Sequence, residues 1–195
     1  MNHLQKWVNL VLSLYLLHHL AACTIVVGNG EKSPAPPLNP RENTLTNLSE
    51  TPTSNYLQVL DSAWTNKVNA DKNPVERYHQ SPNARSPLFF WNKLQGDSNA
   101  LNQLRTFGKL GIWHMWYHNG QLVEQIYLPI GDANTFNQLQ AEVQATGIFT
   151  WRIWSKGPWS GSKKQRGNWQ VMIRDDQAMY LSCGGQPCQY HISVK

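Results

Sequence analysis

The sequence predicts a mainly β protein, an immunoglobulin-like antiparallel β-sandwich with one short inserted helix. Three observations lead there. From residue 56 onward, short aliphatic and aromatic runs recur between Pro, Gly, Asn and Asp turn signals, enough for seven or eight strands of a two-layer β fold. The strongest local signal, "LGIWHMWYHNGQLVEQIYLPIG", is two alternating runs joined by Asn119-Gly120, a dipeptide that favours the positive φ angles of a type I′ hairpin turn. One segment, "DANTFNQLQAEVQATG", breaks the alternation with helical spacing and a glycine stop.

In chain order, "YLQVLDSAWTNKV" reads as the first strand. Pro74, Pro82 and Pro87 then punctuate a loop-rich passage, because proline fixes φ and removes a ladder donor. "PLFFWNKL" is a second, aromatic-rich strand, and the Asn-Gly hairpin supplies the next two. In the insert from Asp132 to Ile148, Leu139 and Val143 follow Phe136 at three and seven residues, so one narrow apolar stripe is available to pack on the sandwich before Gly147 ends the helix. "FTWRIWSK", "NWQVMIRDD", "AMYLSC" and "CQYHISVK" complete the strands.

The hairpin turn sets a register that pairs His118 with Gln121, Tyr117 with Leu122, Trp116 with Val123, His114 with Gln125 and Trp113 with Ile126. Trp113, Met115, Tyr117, Leu122, Ile126 and Leu128 then form the expected core face. Ile112, His114, Trp116, His118, Val123, Gln125 and Tyr127 form the other. On a helix His114 and His118 would share a metal ion, but on a strand four steps of roughly 3.3 Å hold them about 13 Å apart. Zinc-bound nitrogens lie about 2 Å from the metal, so no metal site is expected here. The mixed aromatic and polar face suits a partner surface instead, made of His114, Trp116 and Tyr127 together with Arg152 and Trp154 from "WRIW". Lys163, Lys164 and Arg166 would flank it. The same tryptophans would be a second core layer if the helix covered that face.

Residues 1–22 read as an export signal: Lys6 precedes the apolar run "VNLVLSLYLL", which is too short for the roughly 20 residues that span a bilayer. The run leads to "LAAC", which resembles the lipobox of bacterial lipoproteins, implying cleavage before Cys23 and lipid modification of that cysteine. Thr24 follows where inner-membrane retention signals typically carry Asp, so the expected location is the outer membrane, facing the periplasm. Residues 23–55 are rich in Pro, Asn, Thr and Ser, cannot bury enough apolar surface to offset ordering, and are expected to form a disordered tether. The β domain occupies 56–195. Three cysteines are an odd count for an exported chain; with Cys23 assigned to lipid, Cys183 and Cys188 remain as a pair around the turn "GGQP", expected to be a disulfide.

The chain carries 17 basic and 12 acidic side chains, a net charge of +5. Part of the excess clusters in "SKGPWSGSKKQRG". Such a loop resembles a nucleic-acid grip, but an exported protein seldom meets nucleic acid; anionic lipid headgroups or cell-wall polymers are the better counter-charges, and a plain solvated loop is the expected reading. Among catalytic patterns, no H-E-x-x-H or glycine-rich phosphate loop is present, and Ser160 in "GPWSG" lacks the nucleophile-elbow spacing. Asp175 and Asp176 are adjacent turn residues, not a pair flanking a substrate. No enzyme activity and no cofactor are expected.

"WHMWYHNGQLVEQIYLPIG", "WRIWSK" and "GNWQVMIRDD" together resemble the bacterial family called domain of unknown function 2914, over about Gly108 to Leu181. The insert at 132–148 and the Cys183/Cys188 loop depart from that pattern. The resemblance implies the fold and carries over no catalytic residue. The expected function is a lipid-anchored, non-enzymatic envelope module that binds a protein or cell-wall glycan, with a carbohydrate- or peptidoglycan-binding module as the alternative. Cys23→Ser should release the protein into the soluble periplasm or block its maturation; membrane retention without acyl groups by mass spectrometry would refute the anchor.

Overall fold

The computed structural model describes residues 52–83, 86–158 and 166–195. The signal, the Cys23 lipidation site, the tether up to residue 51, and Lys163 and Lys164 lie outside the described residues. The elements in order are β1 (Thr53–Thr65), β2 (Phe89–Gly96), α1 (Ser98–Phe107), β3 (Lys109–His118), β4 (Gln121–Asp132), α2 (Phe136–Thr146), β5 (Phe149–Lys156), β6 (Gly167–Asp175), β7 (Tyr180–Cys183), β8 (Gln186–Pro187) and β9 (Gln189–Val194).

The mainly β class holds. The strands form one nine-stranded sheet in the order β4-β3-β6-β7-β1-β2-β5, nearly closed into a barrel; β8 pairs with β7 and β9 with β6. A two-sheet, immunoglobulin-like arrangement is not confirmed, because every neighbour along this path is laddered to the next. The sheet is mixed rather than purely antiparallel, since β1 runs parallel to β7 through Thr53 with Tyr180 and Gln58 with Ser182.

Among the described residues two helices are present where the sequence predicts one. The second, α2, follows its expected stripe: Leu139 is buried, Phe136 and Val143 pack against the core, and Gly147 caps the end at φ 83°. The first, α1, was missed although its signals are legible. Asp97 caps it by accepting from the backbone N–H groups of Asn99 and Ala100 at 2.8 and 3.2 Å. Gly108 ends it in the left-handed region at φ 73°, and Ala100, Leu101 and Leu104 form its buried stripe. Both helices pack at Gly131, where an added Cβ would press on Leu104 and Leu139.

The Asn119-Gly120 turn has the expected positive φ angles, 48° and 81°. His118 pairs with Gln121 and Tyr117 with Leu122, as the turn dictates. Beyond that the expected register is corrected by one residue: Trp116 pairs with Glu124, His114 with Ile126 and Trp113 with Tyr127, so Val123 is the extra residue of a β-bulge and stands 46 % exposed. Because side chains alternate with period two, a one-residue slip exchanges the faces of everything beyond it. Ile126 and Leu128 therefore join Ile112 and Trp116 in the main core, while Leu122 and Tyr127 pack with Trp113, Met115 and Tyr117 in a second cluster.

A Cys183–Cys188 disulfide closes the short β7–β8 hairpin, with Cα atoms 4.9 Å apart and Gly184 and Gly185 taking positive φ in its turn. A loop this short contributes on the order of 2 kcal/mol. Both thiols should resist alkylation in native protein and label only after reduction, as read by intact-mass shift.

Candidate functional site

The five residues expected to share a partner surface are divided by the structure. His114 and Trp116 are fully buried. Tyr127 is half-buried, its ring 5.0 Å from that of Trp113 and in contact with the space a Gly111 side chain would need. Arg152 is exposed and Trp154 half-buried, both on the outward-alternating side of β5. The face of β3 carrying His114 and Trp116 is thus core, a correction with a clear cause: β6 pairs with β3 along Ile112 to His118, and near-closure of the sheet turns that face inward.

Inside the barrel, the Ser155 hydroxyl of β5 accepts from Trp116 Nε1 at 3.0 Å and lies 2.7 Å from His114 Nδ1. Burial lowers the His114 pKa to about 3, so the imidazole is neutral in the folded state. A serine at this distance from a histidine is the contact that an activated nucleophile requires. Here it is sealed from substrate, with Ser155 only 4 % exposed and its oxygen already engaged by the indole N–H. Asn92, on neighbouring β2, is also fully buried, and neither its side-chain atoms nor His114 Nε2 has a hydrogen-bond partner among the described residues.

Above this layer, aromatic rings continue to the surface. Trp116 meets Trp64 edge-on at 5.6 Å, Trp64 tilts against Phe90 at 4.8 Å, and Phe90 contacts both His114 and Tyr190. Trp64 and Phe90 floor an open cleft of about 290 Å³ that is also lined by Ser62, Ala63, Arg77, Tyr78, His79 and Tyr190. Three sets of contacts hold its walls. The loop following β1 is bonded to it through Tyr78 N–H and the Trp64 carbonyl at 2.8 Å, and the Tyr78 hydroxyl donates to the Pro87 carbonyl at 2.9 Å. Arg77 forks onto both carboxylate oxygens of Asp61, holding that carboxyl below the usual range, and lies over the Trp91 ring. Tyr190 Oη sits 3.3 Å from Cys183 Sγ, so the disulfide hairpin supports the third wall, and burial pushes the Tyr190 pKa up. None of these residues lies in a segment whose alternation pointed to function. The legible signal was compositional: aromatics flanking the proline-rich passage 74–87.

His118 stands on the hairpin rim, its ring 4.5 Å from Trp169 and its Nε2 3.0 Å from the Arg166 carbonyl. Among the described residues no group of three or more His, Cys, Asp or Glu side chains is arranged to hold a metal ion. Asp175 closes the β6–β7 turn, accepting from the N–H groups of Gln177 and Met179 at 2.9 Å each. Asp176 instead accepts from Gly111 N–H at 2.6 Å, with its pKa raised by burial. The two carboxylates therefore clamp backbone in two directions.

Comparison with known proteins finds no family model that matches the chain and no similar curated protein.

Trp116→Ala should destabilise the domain by roughly 3 to 5 kcal/mol in urea unfolding, as expected for a buried tryptophan. Trp154→Ala should cost well under half as much. Equal losses would mean that Trp154 is also core.

Proposed function

We propose that this chain is a lipid-anchored protein of the bacterial outer membrane, facing the periplasm, whose β domain binds an envelope partner without transforming it. The observation that carries the reading is the aromatic cleft. Its volume of about 290 Å³ lies at the lower end of ligand-sized clefts and admits a side chain or a single ring with room to spare. Trp64, Tyr78, Phe90 and Tyr190 supply apolar contact, while Ser62, His79 and Arg77 supply polar groups at the rim. Aromatic anchors beside fixed polar groups are the composition of an interface hot spot. Arg77 is already oriented by Asp61, so less side-chain freedom is lost when a partner arrives.

The burial of the Ser155–His114 pair supports binding over turnover, because the most reactive-looking contact lies beneath the cleft floor. The alternative is a carbohydrate- or peptidoglycan-binding module. It is favoured by the outward Trp154 beside Arg152, since an indole face and a guanidinium recognise sugar rings and their substituents.

The test places a photo-cross-linking residue at His79 in the full, anchored chain. A discrete adduct of protein mass, resistant to wall hydrolases, is the expected result. A ladder of adducts collapsed by wall hydrolases would transfer the cleft to the alternative reading, and absence of any adduct would overturn the cleft as a binding site.

A further inference from the structure

The outer side of the β2–β5 ladder carries an arrangement that folding alone does not favour. Lys93 stands directly opposite Arg152, so two like charges face one another across the pair. The next pairs outward along the same side are Trp91 with Trp154 and Phe89 with Lys156. Neither strand contains Asp or Glu. The nearest acid in the row, Asp61, pairs with Lys93 across the β1–β2 ladder and attracts it, but both its carboxylate oxygens accept hydrogen bonds from Arg77, and neither β2 nor β5 offers an acid to Arg152 or Lys156. Among the described residues, Lys93, Arg152 and Lys156 make no ion pair.

The two tryptophans of the strip are treated differently. Trp91 is covered: its Nε1 donates to the Lys72 carbonyl at 2.7 Å, and Arg77 lies over its ring. Trp154 is half-buried and has no ring or cation partner among the described residues. Along β5 the result is Arg152, Trp154 and Lys156 at every second residue, covering about 13 Å. An open indole face thus lies between two exposed cations, with Lys93 reinforcing the first.

We propose that Lys93, Arg152, Trp154 and Lys156 form a binding strip for a carboxylate-bearing polysaccharide. The indole stacks on the C–H face of one sugar ring. The planar guanidinium of Arg152 takes a carboxylate through two parallel hydrogen bonds, which a neutral sugar cannot match. Lys156 meets the carboxylate of a neighbouring ring, and binding relieves the repulsion between Lys93 and Arg152. An acidic peptide added as a further strand is a poorer occupant: the free edge of β5 turns toward β4, where the sheet nearly closes. This site lies on the outer side of β2 and β5, away from the Trp64 and Phe90 floor of the cleft. The cleft reading stands on its own cross-linking experiment, which touches no residue of β5.

The experiment titrates the full chain with oligogalacturonate, with the same oligomer fully methyl-esterified, and with oligoglutamate, following tryptophan fluorescence and calorimetric heat at low salt. Saturable binding to the free acid is expected, lost on esterification and at least ten-fold weaker for oligoglutamate. Arg152→Gln and Trp154→Ala should each weaken acid binding at least ten-fold. Arg152→Gln should leave the melting temperature unchanged or raise it, since it removes a like-charge pair. A purely structural Arg152 would lower it. Equal binding of acid and ester, equal binding of oligoglutamate, or wild-type affinity in both variants would each overturn the proposal.

Discussion

One hydroxyl group joins the two ends of the sheet. β3 is next to one end of the strand order and β5 is the other end, and the seam between β4 and β5 has no ladder among the described residues. Across the interior, Ser155 of β5 takes the indole N–H of Trp116 and meets the imidazole of His114, both from β3. Each such bond is worth only about 1 kcal/mol net, but leaving a buried partner unsatisfied costs about 1 to 3 kcal/mol. Breaking the contact would strand three polar groups at once. Near-closure of the sheet thus depends on a polar contact inside an aromatic core, with α2 linking β4 to β5 outside it.

The same contact explains why a strand with two histidines and three aromatics has almost no exposed face. Once β3 lies between β4 and β6, each of its sides meets a cluster: Ile112 and Trp116 the main core, Trp113, Met115 and Tyr117 the smaller one. Neutral His114 fits this environment because its charge is suppressed rather than paired. Recognition chemistry is left to what surrounds the barrel, the loop carrying Arg77, Tyr78 and His79 and the outward residues of β5. Loops and outward faces held by a rigid sheet are where binding residues usually sit.

The element list was largely legible. Period-two alternation and turn residues located β1 to β6 and the last strands, and the Asn-Gly turn correctly anchored the first two hairpin pairs. The α1 helix is not among the expected elements despite its Asp97 cap and Gly108 stop, because its buried stripe of Ala100, Leu101 and Leu104 is little more than one turn long. The cleft was less legible, since its walls come from β1, β2, β9 and a loop, up to 128 positions apart in the chain between Ser62 and Tyr190. No local pattern encodes that meeting.

By itself, the sequence determined what local chemistry can determine: the mainly β class, the inserted α2 helix, the type of the hairpin turn and the partnering of Cys183 with Cys188. These follow from backbone preferences and from distances of a few residues. Tertiary structure alone decided that both faces of β3 are core, because near-closure surrounds β3 with packed neighbours, and that Ile126 and Leu128 join the main cluster, because the bulge at Val123 shifts β4 by one residue. It also decided that the strands form one sheet instead of two. That choice rests on the parallel contact between β1 and β7, elements more than a hundred residues apart in sequence, where Thr53 meets Tyr180. Side-chain alternation states that a strand has two faces; only the pairing of distant strands states what each face touches.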